Sequence, residues 1–291
     1  MQTLSESPLS MREALAESNR LFSAGLGSVF PWVLVAELLA LLPFAPTGSF
    51  FDMDLSLLAD PGYLSRMLLL GVMQALLYVI AIQRLPALAG DAAASDTGLW
   101  PALRATPAVM IGYVCYELIV IVGLLFTFAF FMLGAFIIGP LAGLVLCVLP
   151  LAPTAGASTA LALFVFPAVL EKRGPFASLS ESSGLAKRSW AKVSLVISVP
   201  AVALLVALVM TDMTAISHSV STGLEALRRS QDGGMSMEQL EGLFATPQGA
   251  AMAAGYDAWR LVGTLLSGFA WWYTLAVCYV LYRDLKGRTA A

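Results

Sequence analysis

Two glutamates, Glu37 and Glu117, lie inside long apolar segments of the sequence. A charged side chain at the centre of a membrane costs about 2.5–3.5 kcal/mol on insertion scales, so such residues usually face the interior of a bundle and often mark a functional path. The two occupy similar places in their segments, since Glu37 follows Pro31 and Glu117 follows Pro107. The sequence therefore predicts a candidate intramembrane polar site for protons or cations, with three hydrogen-bonding neighbours: Gln74, Tyr113 and Tyr116.

The same carboxyl groups have a second interpretation, in which they are protonated or hydrogen-bonded to a neighbouring helix and only hold the bundle together. Catalytic motifs do not favour an enzyme, because the sequence contains no Gly-x-Ser-x-Gly elbow, no His-Glu-x-x-His and no Walker loop. The three cysteines lie in apolar runs, apart from the single histidine, His218. We expect no catalytic residue, no cofactor and no metal site.

The amino-acid composition predicts the kind of elements that position these glutamates. Of the 291 residues, 59% are hydrophobic and 12% are charged. Soluble domains have about 45–50% apolar and about 25% charged residues, so this chain is predicted to lie in a membrane. A net charge of −3 gives no reason to expect a nucleic-acid partner. Membrane lipids are the expected partners, and a membrane or cytoplasmic protein partner stays open.

Apolar runs long enough to cross a membrane occur along the whole chain. A span needs about 20 mostly apolar residues, and single runs cover 28–44, 64–85, 193–211 and 259–282. The block 107–170 contains a single charged residue, Glu117, and has room for two spans with additional chain, or for three.

The positions of Lys and Arg decide between these counts, because short cytoplasmic loops collect them. With two spans in the block, the chain has six spans, and one side of the membrane holds both termini and 12 of the 16 basic residues. With three spans the split becomes 7 against 9. We therefore predict six spans, with both termini in the cytoplasm. The additional chain at 132–152 is expected to form a re-entrant hairpin or extended, kinked helices.

A short helical segment with basic residues precedes every second span, at 8–22, 97–107 and 175–193. This recurrence predicts a single all-α membrane domain over 1–291. Six transmembrane helices would form three hairpins, each preceded by a short cytoplasmic interfacial helix. The repeat units extend over about 8–90, 97–171 and 175–286, and 212–258 is expected to be an extracytoplasmic loop.

The third of these segments is the most basic. Amphipathic helices with cations lie in the membrane interface and attract anionic lipid, so we predict lipid-interface roles, or a docking surface for a cytoplasmic partner, for five residues: Lys172, Arg173, Lys187, Arg188 and Lys192. Gly139 and Gly143 form a small-xxx-small pattern, which is typical of close helix packing. A gate or a re-entrant loop is the alternative there.

The stretch FPAVLEKRGPFASLSESSGLAKRSWAKV, at residues 166–193, resembles the connector of the YciC-like family of bacterial inner-membrane proteins. GLWPALRATPAVMIGY at 98–113 is similar to the segment before that family's third span, and YVLYRDLKGR at 279–288 is similar to the end of related six-span proteins. The resemblance implies an integral membrane protein without an assigned activity. We therefore expect an accessory or envelope-related role. The alternative is a transporter or channel for a small solute or lipid that uses Glu37 and Glu117.

Overall fold

The computed structural model describes residues 9–39, 61–91, 97–137, 139–146, 148–187, 189–211 and 250–290. Within these ranges every regular element is an α-helix, which confirms the predicted all-α class. The helices are α1 (Met11–Gly25), α2 (Phe30–Leu38), α3 (Pro61–Leu88), α4 (Leu99–Ile137), α5 (Pro140–Leu146), α6 (Val148–Leu161), α7 (Val165–Leu170), α8 (Pro175–Lys187), α9 (Trp190–Thr211) and α10 (Ala250–Ala290).

Four described stretches are long and apolar enough to cross a membrane. They are α3, the Leu99–Gly134 part of α4, the Val148–Leu170 segment that comprises α6 and α7, and Leu261–Gly287 of α10. Helices α1 and α2 together give a fifth if the pair, which bends by 77°, is one broken span. The chain is therefore a membrane-spanning helical protein with four or five candidate spans in its described part.

Six spans remain a prediction. The described block from 107 to 170 contains two candidate spans, in agreement with the smaller of the two counts. In the region of the fifth expected span, α9 contributes a shorter apolar helix over Trp190–Pro200. The predicted extracytoplasmic loop lies mostly outside the described residues, which include only 250–258 of it, as the start of α10.

The described part of the region 132–152 contains the end of α4, the short helix α5 and the start of α6. Helix α4 ends at Ile137, and Gly139 follows with φ of +125°, a conformation that favours glycine because it has no Cβ. The Gly139 amide donates to the Gly134 carbonyl oxygen at 3.1 Å. Helices α5 and α6 then pack against α4. The additional residues thus form the short helix α5 between α4 and α6.

The three short basic segments differ in how they enter the following helix. Segment 8–22 forms most of α1, and segment 175–193 forms α8 and the first turn of α9. Segment 97–107 is instead continuous with α4, which passes through Pro107 without a break. A helix of 39 residues is about 58 Å long, well beyond the roughly 30 Å of hydrocarbon. Helix α4 is therefore longer than the apolar layer is thick.

Local capping explains two of the helix ends. The Ser10 hydroxyl accepts from the Glu13 amide at 3.2 Å, and the Glu13 carboxylate accepts from the Ser10 amide at 2.7 Å. This capping box starts α1. At the end of α3, Gly90 adopts φ of +88°, and the Asp91 amide donates to the Pro86 carbonyl oxygen at 2.8 Å. This arrangement satisfies carbonyl groups that a helix end otherwise leaves unpaired.

Helix α10 is the centre of the bundle, with α1, α2, α3, α8 and α9 packed around it. Its second half is almost fully buried and includes Trp272, whose indole N–H donates to the Phe22 carbonyl oxygen of α1 at 3.0 Å. Helix α4 contrasts with it, since large apolar side chains such as Leu125 and Phe128 are more than half exposed. Apolar surface of this extent fits lipid rather than water.

Candidate functional site: a buried carboxylate joining three helices

Glu37 is 8% exposed, near the end of α2. Its Oε1 accepts a hydrogen bond from the Tyr78 hydroxyl of α3. Its Oε2 accepts from the Ser267 hydroxyl of α10 at 2.6 Å. One carboxyl group therefore joins three helices that lie far apart in the sequence.

This geometry provides what a buried carboxylate requires. An ionised carboxylate only accepts hydrogen bonds, and each of its oxygens here has a hydroxyl donor. A buried charge without such donors would be strongly unfavourable. The ring of Trp271, 6.0 Å from the Tyr78 ring between centroids, packs against the tyrosine that supplies one donor. The site is suited to joining helices, because both carboxylate oxygens already accept hydrogen bonds from hydroxyl groups of other helices.

Glu117 belongs to a second polar group on α4, and it is half-buried. Tyr113, one turn earlier on the same helix, lies within electrostatic range of the Glu117 carboxylate. Tyr116 lies beside Ser158 of α6. The Tyr113 and Tyr116 rings stack with their centroids 6.4 Å apart. This group joins α4 to α6.

The two carboxylates are neighbours in one polar region. Tyr113 lies within electrostatic range of both Tyr78 and Glu37. Gln74 is half-buried on α3, one turn before Tyr78. The structure thus brings Glu37, Glu117 and Tyr113 to the same part of the bundle.

Sequence reasoning missed Tyr78 and Ser267, the two direct partners of Glu37. Ser267 is 230 residues away along the chain, and a single serine in an apolar run carries no signal of its partner. Tyr78 could have been considered because it follows Gln74 by one helical turn. The Tyr113–Glu117 pair has the same i, i+4 spacing and is therefore visible in the sequence.

A cluster of four charged residues holds the connector before α8 against α10. Lys286 contacts the carboxylates of Glu171, at 2.6 Å, and Glu181. Arg173 contacts the same two carboxylates at 2.9 Å each. The Tyr282 hydroxyl also donates to Glu171. Burial alone would raise the pKa of Glu171, but hydrogen bonds from Lys286 and Tyr282 outweigh it and hold that pKa below its ordinary value.

A second ion pair joins α9, α10 and the chain before α1. The Lys192 Nζ lies 2.9 Å from Asp284 Oδ2, and their side chains are 18% and 6% exposed. Lys192 also donates to the Leu9 carbonyl oxygen, and the Leu9 amide donates to Asp284 Oδ1 at 3.0 Å. Asp284 is therefore paired on both oxygens.

The five predicted lipid-interface cations differ in their surroundings in the structure. Arg173 and Lys192 pair with carboxylates of the protein itself. Lys172 and Lys187 are exposed, and Lys172 adopts φ of +56° where the chain leaves α7. Arg188 lies outside the described residues.

Gly139 has open space where a Cβ would stand, so its described role is the turn after α4. The side-chain surroundings of Gly143 lie outside the described part. Close approach occurs at other glycines. A Cβ at Gly112 would lie 2.5 Å from the Phe164 ring, and one at Gly123 would overlap with Thr154. These contacts let α4 approach the segment of α6 and α7.

Within the described ranges, His, Cys, Asp and Glu side chains form no group of three that could hold a metal ion. Comparisons with protein-family models, with curated proteins and with solved structures gave no match for this chain. The resemblance to the YciC-like family therefore stays a prediction, and the candidate site rests on its own geometry.

Proposed function

We propose that this protein is a non-catalytic, six-span protein of the bacterial inner membrane with an accessory role in maintaining the cell envelope. The observation that carries the proposal is the Glu37 carboxylate, which is buried and has a hydroxyl donor from another helix on each oxygen. A carboxylate satisfied in this way acts as a joint within the bundle. It leaves little capacity for binding a substrate.

The proposed topology has three hairpins with both termini in the cytoplasm. Cysteines introduced singly at positions 172, 231 and 288 test it in a background without native cysteines. A membrane-impermeant maleimide added to intact spheroplasts should label position 231, and should label 172 and 288 only after the membrane is opened. Labelling of 172 and 288 from outside, with 231 protected, would reverse the topology.

A second candidate function is proton- or cation-linked transport. The observation in its favour is that Tyr113 lies within electrostatic range of both Glu37 and Glu117, while Tyr78 donates to Glu37. Intramembrane carboxylates often mark proton relays in pumps and transporters.

One experiment separates the two functions. Full-length protein is reconstituted into liposomes that contain a pH-sensitive dye, and proton flux is measured after a pH jump. The joint role predicts the same slow flux for wild type, Glu37→Gln and protein-free liposomes. A flux that requires wild-type protein and is lost in both Glu37→Gln and Glu117→Gln would replace the accessory role with transport.

The envelope role is tested in cells from which the gene has been deleted. Deletion should increase permeability to a large hydrophilic antibiotic, and wild type or Glu117→Gln expressed at equal levels should restore the barrier. Unchanged permeability after deletion would remove the support for an envelope function.

A further inference from the structure

Arg84 lies near the end of α3, opposite the bend between α1 and α2. Its Nη1 donates to the Ser28 carbonyl oxygen at 3.0 Å. Its guanidinium lies over the Trp32 ring, 4.8 Å from the ring centroid. Two neutral groups thus hold this cation in a defined position.

Two polar atoms at this place have no partner. The Nε of Arg84 and the hydroxyl of Ser28 are both buried, and neither makes a hydrogen bond within the described structure. A buried donor without an acceptor costs about 1–3 kcal/mol, and more when the group is charged. Two such donors beside one guanidinium indicate that an acceptor belongs there.

The missing acceptor is expected to be anionic. None of the described contacts of Arg84 is with a carboxylate, and the Glu37 carboxylate is engaged by Tyr78 and Ser267. Helix α2 also starts beside Ser28 without a side-chain cap, and a helix start favours negative charge. Arginine binds phosphate oxygens through several parallel N–H groups.

The position of Arg84 along α3 indicates the source of the anion. Helix α3 has 28 residues and is about 42 Å long, more than the roughly 30 Å of hydrocarbon. Arg84 is four residues from its end, and the neighbouring Trp32 is of a type enriched at the membrane interface. The guanidinium is therefore expected at the depth of lipid headgroups.

From these contacts we infer a binding site for the phosphate of an anionic phospholipid, formed by Arg84 and Ser28 beside Trp32. In this site the phosphate oxygens accept from Arg84 and Ser28. The site lies apart from the basic connector, whose Arg173 is neutralised by Glu171 and Glu181.

Arg104 provides a matched control. It also lies over a tryptophan, with its guanidinium 5.2 Å from the Trp100 ring centroid. Because α3 and α4 are consecutive helices joined by a short connection and packed together, it belongs to the same end of the bundle. Arg104 is exposed, however, and has no buried donor without a partner. Arg84→Gln and Arg104→Gln remove the same charge, and only the first removes the proposed site.

The test uses native mass spectrometry of full-length protein in detergent, titrated with dioleoyl phosphatidylglycerol. Wild type should retain one tightly bound lipid. Arg84→Gln should weaken that binding about tenfold or more, as expected for a lost charge-assisted contact, and Arg104→Gln less than about twofold. Ser28→Ala should have a smaller effect than Arg84→Gln. Inorganic phosphate in a parallel titration should not displace the lipid.

Equal weakening by Arg84→Gln and Arg104→Gln would overturn the site, because it would indicate a general charge effect. Displacement of the lipid by inorganic phosphate would overturn the lipid as its ligand. Arg84→Lys provides a second variant if Arg84→Gln does not yield folded protein. It keeps the charge without the Nε–H, so unchanged lipid binding by folded Arg84→Lys would also contradict the proposed contact.

Discussion

The two sides of this bundle are held together by different means. Around α10, charged and hydroxyl side chains connect distant parts of the chain, as at Glu37–Ser267 and Lys192–Asp284, and large rings such as Trp272 are fully buried. Along α4, α5 and α6 the large side chains are mostly exposed, and contact depends on glycines such as Gly112 and Gly123.

The difference follows from the solvent on each side. Lipid is as apolar as leucine, so burying leucine between helices gains little in a membrane, and close packing at small residues contributes instead. Polar pairs specify which helices meet, because a wrong neighbour would leave a buried charge unpaired. We expect substitutions of the polar pairs around α10 to lower the stability of the protein most. Substitutions at the connector before α8 should lower it least.

The largest effect is expected for Lys192→Met. It removes the Lys192 cation from the buried carboxylate of Asp284, and breaking a buried pair costs about 3–5 kcal/mol. Thermal unfolding in detergent should show a clear loss of stability, with the exposed Lys187→Met unchanged. Equal melting temperatures for the two variants would show that the pair contributes nothing beyond a surface charge.

Tyr78→Phe should rank second. It removes the donor to Glu37 Oε1, and a hydrogen bond to a charged group contributes about 1.5–3 kcal/mol. Tyr63→Phe on the same helix is the control, because no described contact joins Tyr63 to a carboxylate. Unfolding of both variants is followed by tryptophan fluorescence in denaturant. If Tyr63→Phe lost as much stability as Tyr78→Phe, the Glu37 joint would not be the cause.

Gly123→Ala tests the packing on the α4 side. The added Cβ would overlap with Thr154, and such overpacking costs about 1–3 kcal/mol. At Gly71, inside α3, an added Cβ has open space, so Gly71→Ala should gain up to about 1 kcal/mol from helix propensity. Melting temperatures that shift in opposite directions would agree with this interpretation, and a stabilising Gly123→Ala would contradict it.

The smallest effect on stability is expected for Glu171, in the connector before α8, and this effect depends on pH. Because hydrogen bonds lower the pKa of Glu171 in the folded protein, its stabilising contribution is complete above the unfolded pKa of about 4.3. That contribution is lost as pH falls through the lower folded pKa. Melting temperatures between about pH 7 and pH 3 should therefore fall more for wild type than for Glu171→Gln. Parallel curves would mean that Glu171 has the same pKa folded and unfolded.

Much of the helical architecture could be predicted from the sequence, because apolar run length determines which segments cross a membrane. The Tyr113–Glu117 pair was likewise predictable, since residues one turn apart share a helix face. Contacts such as Glu37–Ser267 and Lys192–Asp284 depend on which helices become neighbours. Isolated polar residues in a single sequence form no local pattern that identifies the neighbouring helix, so these contacts could not be predicted. The continuity of 97–107 with α4 was also missed, because Pro107 suggested a break where the helix continues.

The central claim is that the Glu37 carboxylate joins helices and is not part of a water-filled path, and cysteine accessibility at Ser267 tests it most directly. Ser267→Cys is prepared without the native cysteines, and native membranes are treated with a small, hydrophilic, membrane-permeant thiol reagent. The account predicts no labelling of position 267 in the folded protein and full labelling after denaturation, with a cysteine at 187 labelled throughout. Labelling of position 267 in the folded protein as fast as position 187 would show that water reaches the carboxylate, and would contradict the account.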